Sequence, residues 1–79
     1  MKNSDKFKIM VDETKLLVET FLKTNESDIE LSNRTGISSS TVGRRLTNKL
    51  LFKNAFPDSY ELIYNEVQKR RQNNRLLGQ

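Results

Sequence analysis

The chain has 79 residues, with 14 Lys or Arg against 10 Asp or Glu, and carries a net charge of +4. It contains no Cys, His or Trp, which excludes a disulfide framework and removes the commonest metal ligands and the commonest general base. A chain of this length builds one small domain with a small core. We therefore expect a single domain over residues 1–79, with an anionic partner and with no catalytic residue, metal or cofactor.

The apolar residues form only short runs, the longest being three residues at positions 9–11, 16–18 and 50–52. A membrane-spanning helix needs about 20 mostly apolar residues. The first eight residues are polar apart from Met1 and Phe7, unlike a signal peptide. The pattern predicts a cytoplasmic protein without membrane contact.

The first predicted element is a helix over residues 11–23. Leu17, Val18 and Phe21 fall on one helical face. Residues 1–8 lack a clear period, so they are either disordered or extend this helix.

A second short helix is predicted over residues 28–35. Ser27 and Glu30 have the spacing of a capping box, in which each side chain bonds the other residue's backbone amide. Gly36 supplies the left-handed residue that ends the helix.

Ser38 is a suitable N-cap for a third helix, predicted over about residues 39–49. Val42 and Leu46 lie four residues apart and form its inward face, and Leu50 continues the row.

Residues 51–56 are predicted to connect this helix to a fourth one that begins at Pro57. Its inward stripe consists of Tyr60, Ile63, Tyr64 and Val67. Beyond Val67, residues 68–79 are predicted to form a basic C-terminal extension. No segment alternates in the way of a strand. The predicted fold is therefore all-α, a small bundle of about four helices that contains a helix-turn-helix and ends in a basic helix.

The helix-turn-helix is the most specific feature of the sequence. Gly36 makes a tight turn that sets the two short helices at about 90–120°. Ile37 and Val42 fill the angle between the helices, and residue 32, where only a small side chain fits, is Ser. In such a unit the second helix reads DNA in the major groove.

Residues 36–46 read Gly-Ile-Ser-Ser-Ser-Thr-Val-Gly-Arg-Arg-Leu. This stretch resembles the sporulation stage III regulator D family, whose members carry a sequence close to Gly-[Val/Ile]-Ser-x-Ser-Thr-Val-x-[Lys/Arg]-x-Leu. Two features depart from the family: Gly43 stands where it tends to carry His, and Ile29 lies one residue late. The resemblance implies a bacterial, sequence-specific transcriptional regulator with a role in sporulation.

Four residues near the start of the third helix are predicted to contact base edges: Ser39, Ser40, Gly43 and Arg44. An arginine can donate two hydrogen bonds to guanine, which is the commonest specific contact. Gly43 would let the backbone approach the groove, although glycine costs a helix about 1 kcal/mol relative to alanine.

Phosphate contacts are predicted from two further groups. Hydroxyl groups and helix amides at the start of the third helix suit phosphate oxygens, and basic residues supply the rest. The predicted contacts are Ser38, Thr41, Arg45, Lys49, Lys53, Lys69, Arg70, Arg71 and Arg75. Residues 1–33 hold five basic and seven acidic residues, a net −2, whereas residues 34–79 hold nine and three, a net +6.

Other interpretations stay open. Arg44 can be an ordinary surface residue, Ser39, Ser40 and Thr41 can be simple caps, and residues 69–75 can be a solvated helix end. Tyr60 and Tyr64 can be nucleophiles, as tyrosines are in some recombinases, but their helical spacing favours core packing.

The alternative function is a small helical interaction module whose basic face binds an acidic protein. Both a monomer and a homodimer on double-stranded DNA agree with the sequence, and the scarcity of spare apolar surface favours the monomer.

Overall fold

The structure is a computed structural model, which describes the backbone of residues 3–77 and the side chains of residues 5–74. This range contains five α-helices and no strand: α1 (Asn3–Thr24), α2 (Asp28–Thr35), α3 (Ser39–Leu46), α4 (Lys49–Ala55) and α5 (Tyr60–Leu77). The prediction of a small all-α bundle is confirmed, with five helices in place of about four.

The five helices surround one apolar core. α1 packs against α3 and α4, α2 packs against α3, and α4 packs against α5. The inward faces predicted for α1 and α3 are buried except at Leu50, which was predicted to continue the row but lies on α4 and is 57% exposed. The core cluster consists of Leu17, Val18, Phe21, Leu31, Val42, Leu46, Phe52 and Val67. Tyr60 and Tyr64 pack against it half-buried, and the Tyr64 ring meets Phe52 edge-on with the ring centroids 5.0 Å apart. The two tyrosines are therefore packing residues, as their spacing predicted.

The first helix is longer than the apolar pattern alone indicated. α1 already includes residues 3–8, so this segment extends the helix rather than being disordered. Thr14 is fully buried on α1 and its hydroxyl donates to the Met10 carbonyl at 2.8 Å, which satisfies the one polar group in an apolar setting. Residues 1 and 2 lie outside the described range.

The prediction of one helix over 39–49 followed by a connector is wrong. α3 ends at Leu46 and a separate α4 begins at Lys49. The Asn48 side chain accepts hydrogen bonds from the backbone amides of Leu50 and Leu51, at 3.1 and 3.3 Å. Such an N-cap stabilises a new helix start, and α4 then buries residues 51 and 52 in the core.

The last helix also differs from its predicted bounds. Residues 57–59 form a turn, in which the Ser59 amide donates to the Phe56 carbonyl at 3.2 Å, and α5 begins at Tyr60. α5 then continues without a break to Leu77. Residues 68–77 are therefore the second half of α5 and not a separate extension.

The turn between α2 and α3 has the predicted geometry. The capping box before α2 is present, with the Ser27 amide 3.0 Å from Glu30 Oε1 and the Glu30 amide 3.3 Å from Ser27 Oγ. Gly36 adopts φ = 79°, and its amide donates to the Ser32 carbonyl at 2.8 Å. This left-handed residue ends α2 and starts the turn into α3.

Two glycine substitutions should change stability in opposite directions. Gly36→Ala should lower the free energy of unfolding by about 1–2 kcal/mol, because a left-handed backbone is costly for alanine, although its Cβ would meet no atom within 4 Å. Gly43→Ala is the matched control inside α3, where alanine should add up to about 1 kcal/mol. Urea unfolding of both variants measures the difference, and equal effects would contradict the assigned turn geometry.

Candidate nucleic-acid interface

The outward face of α3 carries some of the residues that were predicted from the sequence to contact DNA. Val42 and Leu46 are fully buried, whereas Ser39, Ser40 and Arg44 are exposed. At 100° per residue, Ser40 and Arg44 lie opposite the buried pair. Two of the predicted base-contacting side chains therefore project together from the side of α3 that faces away from the core.

Hydroxyl groups cap the N-terminus of α3. Ser38 is its N-cap, with its Oγ accepting from the Thr41 amide at 3.4 Å and donating to Thr41 Oγ1 at 2.8 Å. Both residues thus serve the helix itself, and the capping role proposed for Ser38 from the sequence is confirmed. Contact of either hydroxyl group with phosphate stays a prediction.

Gly43 lies on another side of α3 than Arg44. A Cβ built on Gly43 would stand 3.4 Å from Asp28 Oδ2 of α2, and the residue is half-buried. The absent side chain therefore faces the neighbouring helix rather than open solvent. We leave Gly43 out of the interface for this reason.

Two of the predicted phosphate-binding arginines hold helices together instead. Arg45 Nε lies 3.0 Å from Glu13 Oε1 and links α3 to α1, with only 18% of its side chain exposed. Arg71 Nη1 pairs with Asp28 Oδ1 and links α5 to α2, with 14% exposed. Because both guanidinium groups are largely covered and paired, we leave Arg45 and Arg71 out of the interface too.

Arg70 has a similar structural role at the far end of α1. Its Nε lies 2.6 Å from Glu66 Oε2, and its Nη1 donates to the Leu22 carbonyl at 3.0 Å. Lys69 is exposed and forms no ion pair with a described side chain, so its phosphate contact stays a prediction. The side chain of Arg75 lies outside the described residues, so its predicted phosphate contact is not placed.

Two ion pairs shift pKa values. The hydrogen bond from Arg70 lowers the pKa of Glu66, and the hydrogen bond from Arg34 lowers the pKa of Glu26 and raises that of Arg34. A lowered carboxyl pKa stabilises the fold above the ordinary carboxyl range, and this contribution is lost as the pH falls through the lowered value. At neutral pH both carboxyl groups are therefore ionised and accept hydrogen bonds from their arginines.

Two lysines on α4 remain exposed beside the tyrosines of α5. Lys49 Nζ lies 5.7 Å from the centroid of the Tyr64 ring, and Lys53 Nζ lies 5.9 Å from that of Tyr60. The Tyr64 hydroxyl donates to the Thr47 carbonyl at 3.4 Å. Neither lysine forms an ion pair with any side chain in the described range, so each presents its full charge to solvent.

An open groove runs between α1 and the junction of α3 with α4, which we call the corner groove. It has a volume of about 740 Å³ and is lined by Met10, Arg44, Arg45, Thr47, Asn48, Lys49 and Leu50. Thr47 and Asn48 were not among the predicted site residues, because α3 was expected to continue through them. The available signal was Asn48 itself, a favoured N-cap residue two positions before the apolar residues 50–52.

Arg44 and Lys49 line the corner groove, and Lys53 lies one helical turn beyond Lys49 on α4. They lie within the stretch between Glu30 and Asp58, which contains no acidic residue, and form no ion pair with a described side chain. Such a one-sign surface creates a positive potential that attracts an anionic partner.

Comparison with models of known families, with curated proteins and with solved structures finds no match for this chain. The resemblance to the sporulation stage III regulator D family therefore depends on the sequence motif alone. Of the helices that the structure describes, none is both long enough and apolar enough to cross a membrane.

Neutralising Arg71 and Lys69 of α5 in separate variants should distinguish the structural arginine from the exposed lysine. Arg71→Gln should lower the free energy of unfolding by about 1–2 kcal/mol, because it leaves Asp28 without its partner on α5. Lys69→Gln, the matched exposed change, should alter it by less than about 0.5 kcal/mol. Thermal and urea unfolding provide the comparison, and a larger effect for Lys69→Gln would contradict the roles assigned here.

Proposed function

We propose that this chain binds double-stranded DNA sequence-specifically, with α3 in the major groove, and acts as a transcriptional regulator. The proposal rests on the cations Arg44, Lys49 and Lys53, which form no ion pair with a described side chain. This group begins on the outward face of a capped helix-turn-helix and continues from α3 onto α4. DNA is the partner for which such a unit and such a charge distribution are both suited.

Base recognition is assigned to the first turns of α3. Arg44 is exposed and has no acceptor among the described residues, so its guanidinium is available for guanine O6 and N7. Ser39 and Ser40 are exposed at the start of the helix, where hydroxyl groups can donate to or accept from base edges. The proposed base contacts are therefore Ser39, Ser40 and Arg44, without Gly43.

Phosphate contacts are assigned to Lys49 and Lys53, assisted by the hydroxyl groups of Ser38 and Thr41. The lysines extend the positive surface from α3 onto α4, and phosphate contacts of this kind fix the orientation of a protein on the duplex. Each neutralised phosphate releases condensed counterions, so binding should weaken steeply with salt.

The regulatory part of the proposal, its link to sporulation and a cytoplasmic location are supported by the resemblance of residues 36–46. The exposed large apolar side chains are spread over four helices, which supports a monomer. They are Ile9, Leu16, Ile29, Leu50 and Leu62. A stable dimer usually needs a contiguous surface of about 800 Å² per partner.

One observation favours the alternative partner, an acidic protein. Leu50 is 57% exposed and lies beside Lys49, and protein interfaces combine an apolar centre with a polar rim. The same purified protein can therefore be tested against a duplex and an acidic polypeptide.

Anisotropy titration of random duplex DNA over a salt series tests the DNA proposal. With Lys49 and Lys53 each neutralising a phosphate, the logarithm of the affinity should fall with the logarithm of salt with a slope of about −2. Polyglutamate of similar charge should compete weakly. Absence of duplex binding at about 50 mM salt would contradict the proposal, and preferred binding of polyglutamate would support the protein partner instead.

Two alanine substitutions should separate base contact from phosphate contact. Arg44→Ala should reduce the preference for a duplex selected from a random pool by about 5–150-fold, because it removes a two-bond contact to a base. Lys53→Ala should weaken selected and random duplexes equally and should reduce the salt slope by about one unit. Equal losses on both duplexes for Arg44→Ala would contradict its role as a base reader.

A further inference from the structure

We infer that the corner groove binds one sugar–phosphate strand of the duplex, and that the side-chain nitrogen of Asn48 donates to a phosphate oxygen there. The inference rests on the proposed function and deepens it, since it assigns a DNA contact to a residue outside the reading helix. It specifies where the backbone runs: along the junction of α3 and α4, beside α1.

The first support is the fixed orientation of the Asn48 amide group. Its Oδ1 accepts from the amides of Leu50 and Leu51, at 3.1 and 3.3 Å. This pair of bonds holds Oδ1 toward α4, so Nδ2 points away from the helix. Asn48 is exposed, and its Nδ2 donates to no described residue. Because the Asn48 side chain is already ordered, it loses less conformational entropy when Nδ2 donates to a ligand.

The second support is the charge of the groove. Arg44 and Lys49 both line it and neither forms an ion pair with a described side chain. Arg45 also lines it, with its charge offset by Glu13. No carboxylate is among the lining residues. The groove thus combines two available cations with a neutral donor, and all three are side-chain types that donate to phosphate oxygens.

The third support is the apolar part of the lining. Met10 of α1 and Leu50 of α4 lie in the same groove as the cations. A nucleic-acid backbone alternates charged phosphates with deoxyribose rings whose carbon atoms are apolar, so it can contact both kinds of side chain in one pass. Arg44 both lines the groove and lies on the outward face of α3. A strand in the groove would therefore run beside the bases that α3 would read.

Substitution of Asn48 can remove the donor while keeping the helix cap. Asn48→Asp retains an oxygen that caps α4, because Asp is as good an N-cap as Asn, but replaces the donor with a negative charge. Asn48→Ser also retains a cap and removes the donor without adding charge. Asn73→Asp is the matched control, since it makes the same chemical change on exposed α5, next to Asn74, which bonds Asn25.

The readout is anisotropy with random duplex DNA, together with the melting temperature of each variant. Asn48→Asp should weaken duplex binding by about 10-fold or more, Asn48→Ser by about 2–10-fold, and Asn73→Asp by less than about 3-fold. Asn48→Ser should leave the salt slope unchanged, because a neutral donor releases no counterion, whereas Lys49→Ala should reduce it by about one unit.

The outcomes separate this inference from the proposed function. If the unmodified chain binds duplex DNA but Asn48→Asp and Asn73→Asp weaken binding equally, the corner groove does not hold the strand and the proposed function stands. The same conclusion follows if Asn48→Ser binds as tightly as the unmodified chain. If the unmodified chain does not bind duplex DNA at about 50 mM salt, both fail. A loss confined to the Asn48 variants, with melting temperatures retained, supports the inference.

Discussion

The orientation of α3 depends on side chains of α5 that bind carbonyl groups at helix ends. Gln68 Nε2 lies 2.5 Å from the Leu46 carbonyl at the end of α3, and the Tyr64 hydroxyl donates to the next carbonyl, that of Thr47. Carbonyl groups at a helix end have no partner within the helix. Because α3 has only eight residues, too few to be stable alone, its position relative to α1 and α2 is set by these bonds, by the core and by Arg45.

This arrangement divides the basic residues according to what lies opposite them. Arg44 and Arg45 are neighbours of the same type, yet Arg45 faces Glu13 of α1 and Arg44 faces solvent. Similarly, Arg71 faces Asp28 of α2 while Lys69 is exposed. The paired arginines fix the geometry of the helix-turn-helix, and the unpaired cations of α3 and α4 are left available to a partner. The second half of α5 is therefore mainly a structural element in this account, although it is as basic as the face proposed to bind DNA.

The features that could be predicted from the sequence were those governed by local chemistry. The capping box at Ser27 and the left-handed Gly36 act within a few residues, and α2 has the bounds that they predict. The break between α3 and α4 was missed because Asn48 competes with a continuing helix only when residues 51 and 52 can be buried, which is a tertiary effect. The pairing of Arg45 and Arg71 was missed for a related reason, since their partners lie 32 and 43 residues away. Whether the open side of Gly43 faces α2 or solvent likewise depends on how α2 packs against α3.

The central claim is that the exposed face of α3 and α4 binds duplex DNA while α5 supports it from behind. Titration of the ¹⁵N-labelled chain with duplex DNA, followed by amide chemical shifts, tests this claim most directly. The account predicts that the largest changes occur between Ser39 and Lys53 and at Met10, with small changes around Asn73. Changes concentrated in the second half of α5, or no changes at low salt, would contradict it.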